Sequence, residues 1–292
     1  MANIEGADPR LPVELEREVF MLAASNIYVR DVLSLLLVAR RVRLWVTPIL
    51  YRSFAVCHGD LVGEYLPLRR TPREFRSMVI SSPVAVTEHI RDLWIITWVG
   101  PTQLGQFLSA CSGIETLGIF GNSMVIPGIL PALARMPLRR LSVHLLSLFG
   151  GVPGLNGFKV DFGHPMFSRL THLSLQDRPA QDDWASWTGL FEMPCLTHLA
   201  SKDFFSGLVV QDVLARCRTL RLLVLKSSHA SVWHEELVDF GQDVRCVVIV
   251  VENSLEDWEA GVIHGEDCWT KAEDFCKKRQ TGEVEGLVIP FS

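Results

Sequence analysis

The seven cysteines include no CxxC pair, and their number is odd. That argues against a disulfide framework and fits no common zinc frame. Cys111, Cys217 and Cys246 fall at apolar positions of helix-like or strand-like stretches, as reduced buried thiols of a cytoplasmic or nuclear protein would. Long apolar runs are lacking too. The longest lies near residues 32–39, far short of the ~20 residues a membrane-spanning helix needs. The opening Met1-Ala-Asn-Ile-Glu-Gly-Ala-Asp has neither a basic nor an apolar signal region, so no membrane partner is expected. The net charge of −5 is mild and argues against a general nucleic-acid binder. Positive charge is local instead. Residues 30–80 hold nine Arg and no Lys against four acids, which reads as a solvated basic helix face.

Catalytic motifs are missing as well. His234-Glu235-Glu236 starts as HExxH does, but Val238 stands where the second ligand belongs. His264-Gly265-Glu266 has the H-x-E of a deaminase without a following PCxxC, and His264, Cys268 and Cys276 fit no common zinc spacing. The glycines at 118, 121, 150, 151, 154 and 157 make no phosphate loop, and no G-x-S-x-G elbow occurs. Asp182-Asp183 reads as a helix start before Trp184. The expectation is a protein that is not an enzyme, with no cofactor and no metal.

What is present is a phrase, apolar-x-x-apolar-x-apolar, met seven times. It runs Ile90-Leu93-Ile95, Ile114-Leu117-Ile119, Leu138-Leu141-Val143, Leu170-Leu173-Leu175, Leu196-Leu199, Leu220-Leu223-Leu225 and Val244-Val247-Ile249. The spacings are 24, 24, 32, 26, 24 and 24 residues. A period of this size means stacked repeats. Helical spacing precedes most phrases: Leu104, Phe107, Leu108 and Cys111; Ile129, Leu130, Leu133 and Met136; Leu208, Val209, Val213, Leu214 and Cys217; and Leu237 with Phe240. Trp184, Trp187, Leu190 and Phe191 form a weaker example. Each unit is thus helix, turn, strand, loop, and the long one carries a Gly-rich insertion at 150–163. One unit cannot fold alone. Its residues cost roughly 1–2 kcal/mol each in backbone entropy, and six to eight buried side chains return only ~1.5–3 kcal/mol each. Stacking closes the gap.

This pattern resembles the leucine-rich repeat family in a long, degenerate form, over about 90–251. The resemblance implies an α/β solenoid with parallel strands on the concave face and helices on the convex face. Residues two apart in a strand share a face. The outward set that would meet a protein target is then Trp94, Phe120, Arg140, His144, His172, Gln176, His198 and Lys202. His144, His172 and His198 fall in the same or adjacent columns, where a metal or pH-sensing ladder is conceivable beside ordinary solvated strand residues.

Ahead of the repeats stands Leu11-Pro12-Val13-Glu14-Leu15, then Val19-Phe20, an apolar helix ending Val38-Ala39-Arg40, and Trp45 with Pro48-Ile49-Leu50-Tyr51. Three helices are expected, followed by a strand over 49–54. This segment resembles the F-box motif, in the form common in mushroom-type fungi. The resemblance implies a substrate-recognition subunit of a Skp–cullin–F-box ubiquitin ligase, with an unknown protein substrate. Leu11, Pro12, Leu15, Val19, Phe20 and Trp45 would bind the Skp-type adaptor. The alternative is a non-catalytic repeat scaffold without a ligase role. The domains expected are 8–54, an F-box-like helical module; 55–251, the solenoid; and 252–292, a helical cap on its end.

Overall fold

The computed structural model describes residues 11–25, 29–57, 68–81, 86–120, 126–151, 159–177, 181–202, 207–227 and 243–289. Its centre is one all-parallel sheet of nine strands: β1 (Ser53–Val56), β2 (Leu68–Arg70), β3 (Asp92–Ile95), β4 (Thr116–Ile119), β5 (Arg140–Val143), β6 (His172–Leu175), β7 (His198–Lys202), β8 (Leu222–Ser227) and β9 (Cys246–Val250). The order is β2-β1-β3-β4-β5-β6-β7-β8-β9. The repeated phrase sets the register. Leu93, Leu117, Leu141, Leu173, Leu199 and Leu223 pair in line as one continuous rung.

These leucines point to the back face, where the crossover segments cover them. That layer includes α4 (Pro72–Ser81), α5 (Pro101–Ala110), α6 (Leu130–Leu133) and α8 (Gly207–Arg216), with α7 (Leu145–Phe149) following β5. Leu104, Phe107, Leu133, Val209 and Val213 share one apolar core with the rung. Phe75 of α4 meets Phe54 of β1 at 5.5 Å and Phe107 of α5 at 4.8 Å, both edge to face, which ties the first units together. The stretch around Trp187 is a 3₁₀ run over Gln181–Glu192, not an α-helix, with Trp187 and Leu190 fully buried. The helix expected at Leu237 and Phe240, and most of the Gly-rich insertion, lie outside the described residues. The buried Asp177 accepts from Leu145 N at 2.5 Å and Leu146 N at 3.2 Å, capping the short α7. Burial pushes its carboxyl up to about 6, against those backbone bonds.

Three sequence expectations need correction. The strand placed over 49–54 is instead the end of a helix, α3 (Arg40–Leu50), which keeps Pro48 in its last turns; β1 begins only at Ser53. The edge strand β2 was not foreseen. The seventh phrase is one residue out of register. Leu223 pairs with Cys246, not Val247, so Cys246 and Val248 face the back-face core while Val247 and Ile249 face the front. A one-residue slip exchanges the two faces of a strand.

The third correction explains the second. The segment expected to cap the end of the stack lies largely across its front face. Two helices, α9 (Ser254–His264) and α10 (Cys268–Thr281), follow β9. Asn253 caps the first through Leu255 N at 3.0 Å, and Asp267 caps the second through Thr270 N at 2.9 Å. Ala272, Phe275 and Cys276 of α10 pack on Ala200, Leu222, Val224, Val247 and Ile249. End capping is left to the last described residues. Val248 N donates to Leu287 O, and Ile289 N to Val248 O, each at 2.9 Å, so the free edge of β9 is closed.

Candidate functional site

Two surfaces contain the candidate residues: the front of the sheet and the N-terminal helices. On the front, one column of the ladder runs Trp94, Gly118, Ser142, Ser174, Ala200, Val224. Gly118 gives Trp94 its place. A Cβ at Gly118 would stand 2.1 Å from Trp94 Cε3, so the indole lies flat over the backbone of β4. Trp258 of α9 then stacks on Trp94 at 5.3 Å and 12°, and Phe120 closes on it at 4.7 Å.

Charge follows the same division. The sheet side presents Arg69, Arg140, His198 and Lys226, and the covering helices present Asp257, Glu259, Asp267 and Glu273. Arg69 grips Glu259 with two bonds, Nε to Oε1 at 2.7 Å and Nη2 to Oε2 at 2.5 Å. Arg140 Nη1 donates to Asp267 Oδ2 at 2.9 Å. His198 Nε2 meets Glu273 Oε1 at 2.8 Å. The four larger apolar side chains on these helices, Leu255, Trp258, Trp269 and Phe275, are each over nine-tenths buried. At ~1.5–3 kcal/mol each, they hold the helices down by roughly 6–12 kcal/mol. A partner displacing them would give back that amount before gaining any affinity. The front face under α9 and α10 is therefore core.

This divides the eight residues expected to meet a target. Trp94, Phe120, Arg140, His172 and His198 lie in contacts with α9 and α10. Periodicity gives the direction in which a strand residue points but says nothing about a distant segment lying over it. His144, Gln176 and Lys202 stand in the next column, towards the strand C-terminal ends. Gln176 Nε2 donates to Ser142 Oγ at 2.9 Å, His144 is one-third exposed with Nδ1 3.9 Å from Asp177 Oδ1, and Lys202 is exposed.

Of the expected histidine ladder, two rungs stack. The rings of His172 and His198 lie 4.0 Å apart and 5° from parallel, with Trp269 edge-on to both. Thr171 Oγ1 donates to Arg139 O, so its contact with His172 Nδ1 at 2.8 Å is one it accepts. Among the described residues no group of three metal-binding side chains converges here. Burial, then His198 and Arg140, lower the His172 pKa from 6.5 to about 3. His198 is lowered by burial, against its bond to Glu273. A depressed histidine gives stability present above its unfolded pKa and lost as pH falls towards the folded one. Between pH 7 and pH 5, His172 is thus expected to withdraw about 2 kcal/mol of stability. Urea unfolding at both pH values checks this against His172→Phe, which keeps a ring in the stack without a titrating nitrogen. Asp177, raised rather than lowered, works in the opposite direction in both proteins and cancels in the difference. Equal pH slopes in the two would exclude the effect.

The N-terminal helices are the other surface: α1 (Val13–Ser25), α2 (Val29–Leu35) and α3. Glu16 on α1 takes a two-bond grip from Arg41 on α3, at 2.7 and 2.9 Å. Val32, Val42, Val46 and Leu50 sink into the main core. Thirteen large apolar side chains are exposed among the described residues, and nine belong to residues 11–44. Leu11, Leu15, Val19 and Leu22 are 56%, 48%, 56% and 70% exposed and follow one another at helical spacing. Leu37 and Leu44 add exposures of 87% and 67% from α2's end and α3. Among the expected adaptor contacts, Leu11, Pro12, Leu15 and Val19 are open, while Phe20 and Trp45 are half-buried against the core. Sequence reading missed Leu37 and Leu44 because hydropathy does not distinguish a covered leucine from an open one.

All seven cysteines are free, and Cys195 alone of them is exposed. Among the described residues no helix is long and apolar enough to cross a membrane. Comparison with protein-family models and with curated proteins returns no match for this chain.

Proposed function

We propose that this chain is the substrate-recognition subunit of a Skp–cullin–F-box type ubiquitin ligase. In this reading α1–α3 dock the Skp-type adaptor, the stacked sheet is the platform, and a protein target is held for ubiquitin transfer without covalent chemistry by the chain itself. One observation carries the reading: the concentration of open apolar side chains on α1–α3. A folded chain that leaves such a patch uncovered marks a place where another protein sits. These helices carry exposed charge of both signs, Arg17, Arg30, Arg40 and Arg43 with Glu14, Glu18 and Asp31. The target-contacting set narrows to the open row of His144, Gln176 and Lys202, because the remaining front-face positions are occupied by α9 and α10.

Mixing the purified chain with a purified Skp-type adaptor tests the docking step. Co-elution as one complex in size-exclusion chromatography is the expected outcome. Separate elution at micromolar concentrations would overturn it and leave the repeat scaffold without a ligase role.

A further inference from the structure

The charges around the apolar patch on α1–α3 are sorted by edge. At about 100° per residue, the exposed Leu15, Val19 and Leu22 make one outward stripe on α1, and Glu14 and Glu18 flank it on the side turned away from Glu16. Glu16 is turned towards α3, where Arg41 grips it. On α3 the exposed Leu44 faces outward, and the same spacing puts Arg40 and Arg43 on the side turned away from Arg41. Across the surface the order is therefore Glu14 and Glu18, the α1 stripe, the Glu16–Arg41 bridge, Leu44, then Arg40 and Arg43. All four edge residues are exposed, and none has an ion pair among the described residues.

The bridge also fixes their height. Glu14 and Glu18 stand two residues either side of Glu16, and Arg40 and Arg43 one and two residues from Arg41. At ~1.5 Å per residue, each lies within about 3 Å of the bridged residue along its helix axis. An acidic row and a basic row thus stand level at opposite edges of one apolar surface. Such a surface is complementary to itself. A two-fold axis along the seam between α1 and α3 lays the acidic row of each copy on the basic row of the other, and the α1 stripe of each on the other's Leu44. The remaining exposed charges leave this division intact. Arg17 points about 160° away from Leu15, and Arg30 and Asp31 are neighbours of opposite sign on α2.

We propose that a second copy of this chain covers the α1–α3 face when no other protein does, as a two-fold dimer. Ion pairs at an exposed rim add little, so the association is weak, half-assembled at about 10–100 µM and monomeric below ~1 µM. The dimer stands on the face itself. Its consequence rests on the ubiquitin-ligase reading: a Skp-type adaptor and a second copy exclude each other, so the adaptor draws from the monomer and dissolves the dimer by mass action.

Sedimentation velocity of the full chain from ~1 to ~200 µM tests it, and wild type is expected to pass from monomer to dimer over that range. One variant carries Glu14→Arg with Glu18→Arg, the other Arg40→Glu with Arg43→Glu. Alone, each sets like charges against each other at both edges and weakens self-association at least about tenfold. Mixed in equal amounts, the two pair acid with base again and form a heterodimer at near wild-type affinity. That recovery also shows that both variants are folded. A monomer throughout would overturn the proposal, as would a dimer that neither variant weakens or a mixture that recovers nothing. Adding a purified Skp-type adaptor separates the two readings. Complexes of one chain with one adaptor support the exclusion, and complexes holding two of each overturn the placing of the dimer on this face. A dimer that responds to the charge variants and ignores the adaptor supports the dimer and counts against the docking step alone.

Discussion

Replacing Trp269 by alanine is expected to cost about 3–5 kcal/mol, the usual range for removing a buried aromatic from a packed core. Trp269 is 8% exposed, meets both stacked histidines edge-on and has Lys226 over its ring. Its loss opens a hole at the centre of the seam between α10 and the sheet, and the covering helix cannot settle into it without breaking the Asp267 and Glu273 contacts on either side. A domain has only 5–15 kcal/mol in total, so the variant stands near the limit of folding. Urea unfolding measures it, with Leu208→Ala as the comparison, since Leu208 is 60% exposed and its truncation should stay within ~0.5 kcal/mol. A cost for Trp269→Ala below ~1 kcal/mol would mean that α10 is a loosely held appendage rather than core.

The double change Leu15→Asp and Val19→Asp should act in the opposite manner: little on folding, a great deal on docking. Both side chains are about half exposed and stand one turn apart on α1, so neither supplies much of the core. Stability should move by no more than ~0.5–1 kcal/mol. Two carboxylates in the middle of a desolvated contact have no partner there, and each carries the cost of a buried unpaired charge. Adaptor affinity is therefore expected to fall by more than ~100-fold, about 2.7 kcal/mol. Calorimetric titration of wild type and variant measures the ratio. Unchanged affinity would place the adaptor elsewhere or nowhere on this chain. Phe20 and Trp45 are poorer tests, because both pack on the core and their truncation mixes folding with binding.

The repeat was legible because one leucine rung recurs at nearly constant spacing, and a strand's period of two fixes which side chains turn inward. The same rule failed at β9. Cys246-Val247-Val248-Ile249-Val250 is apolar on both faces, since the core covers one and α10 the other, so alternation carried no register signal. The stretch over 252–292 was legible as helical, though not as two helices, and an amphipathic pattern says only that one face is buried, not against what. The end of the stack and its front face make the same demand. The role of Gly118 was invisible for a related reason: a glycine acquires meaning only once Trp94 is known to lie across it. On α1–α3 the apolar spacing marked helices, whereas which of the apolar residues stay exposed depends on how the three helices fold against β1.

Hydrogen–deuterium exchange of the full chain, with and without a purified Skp-type adaptor, tests the central claim most directly. The account predicts slow exchange in α9 and α10 of the free protein, at the level of the sheet, because both are core. It predicts new protection on adding the adaptor over Val13–Ser25 and Arg40–Leu50, with β4 through β9 unchanged. Fast exchange in α9 and α10 combined with protection arising only on the front of the sheet would contradict it.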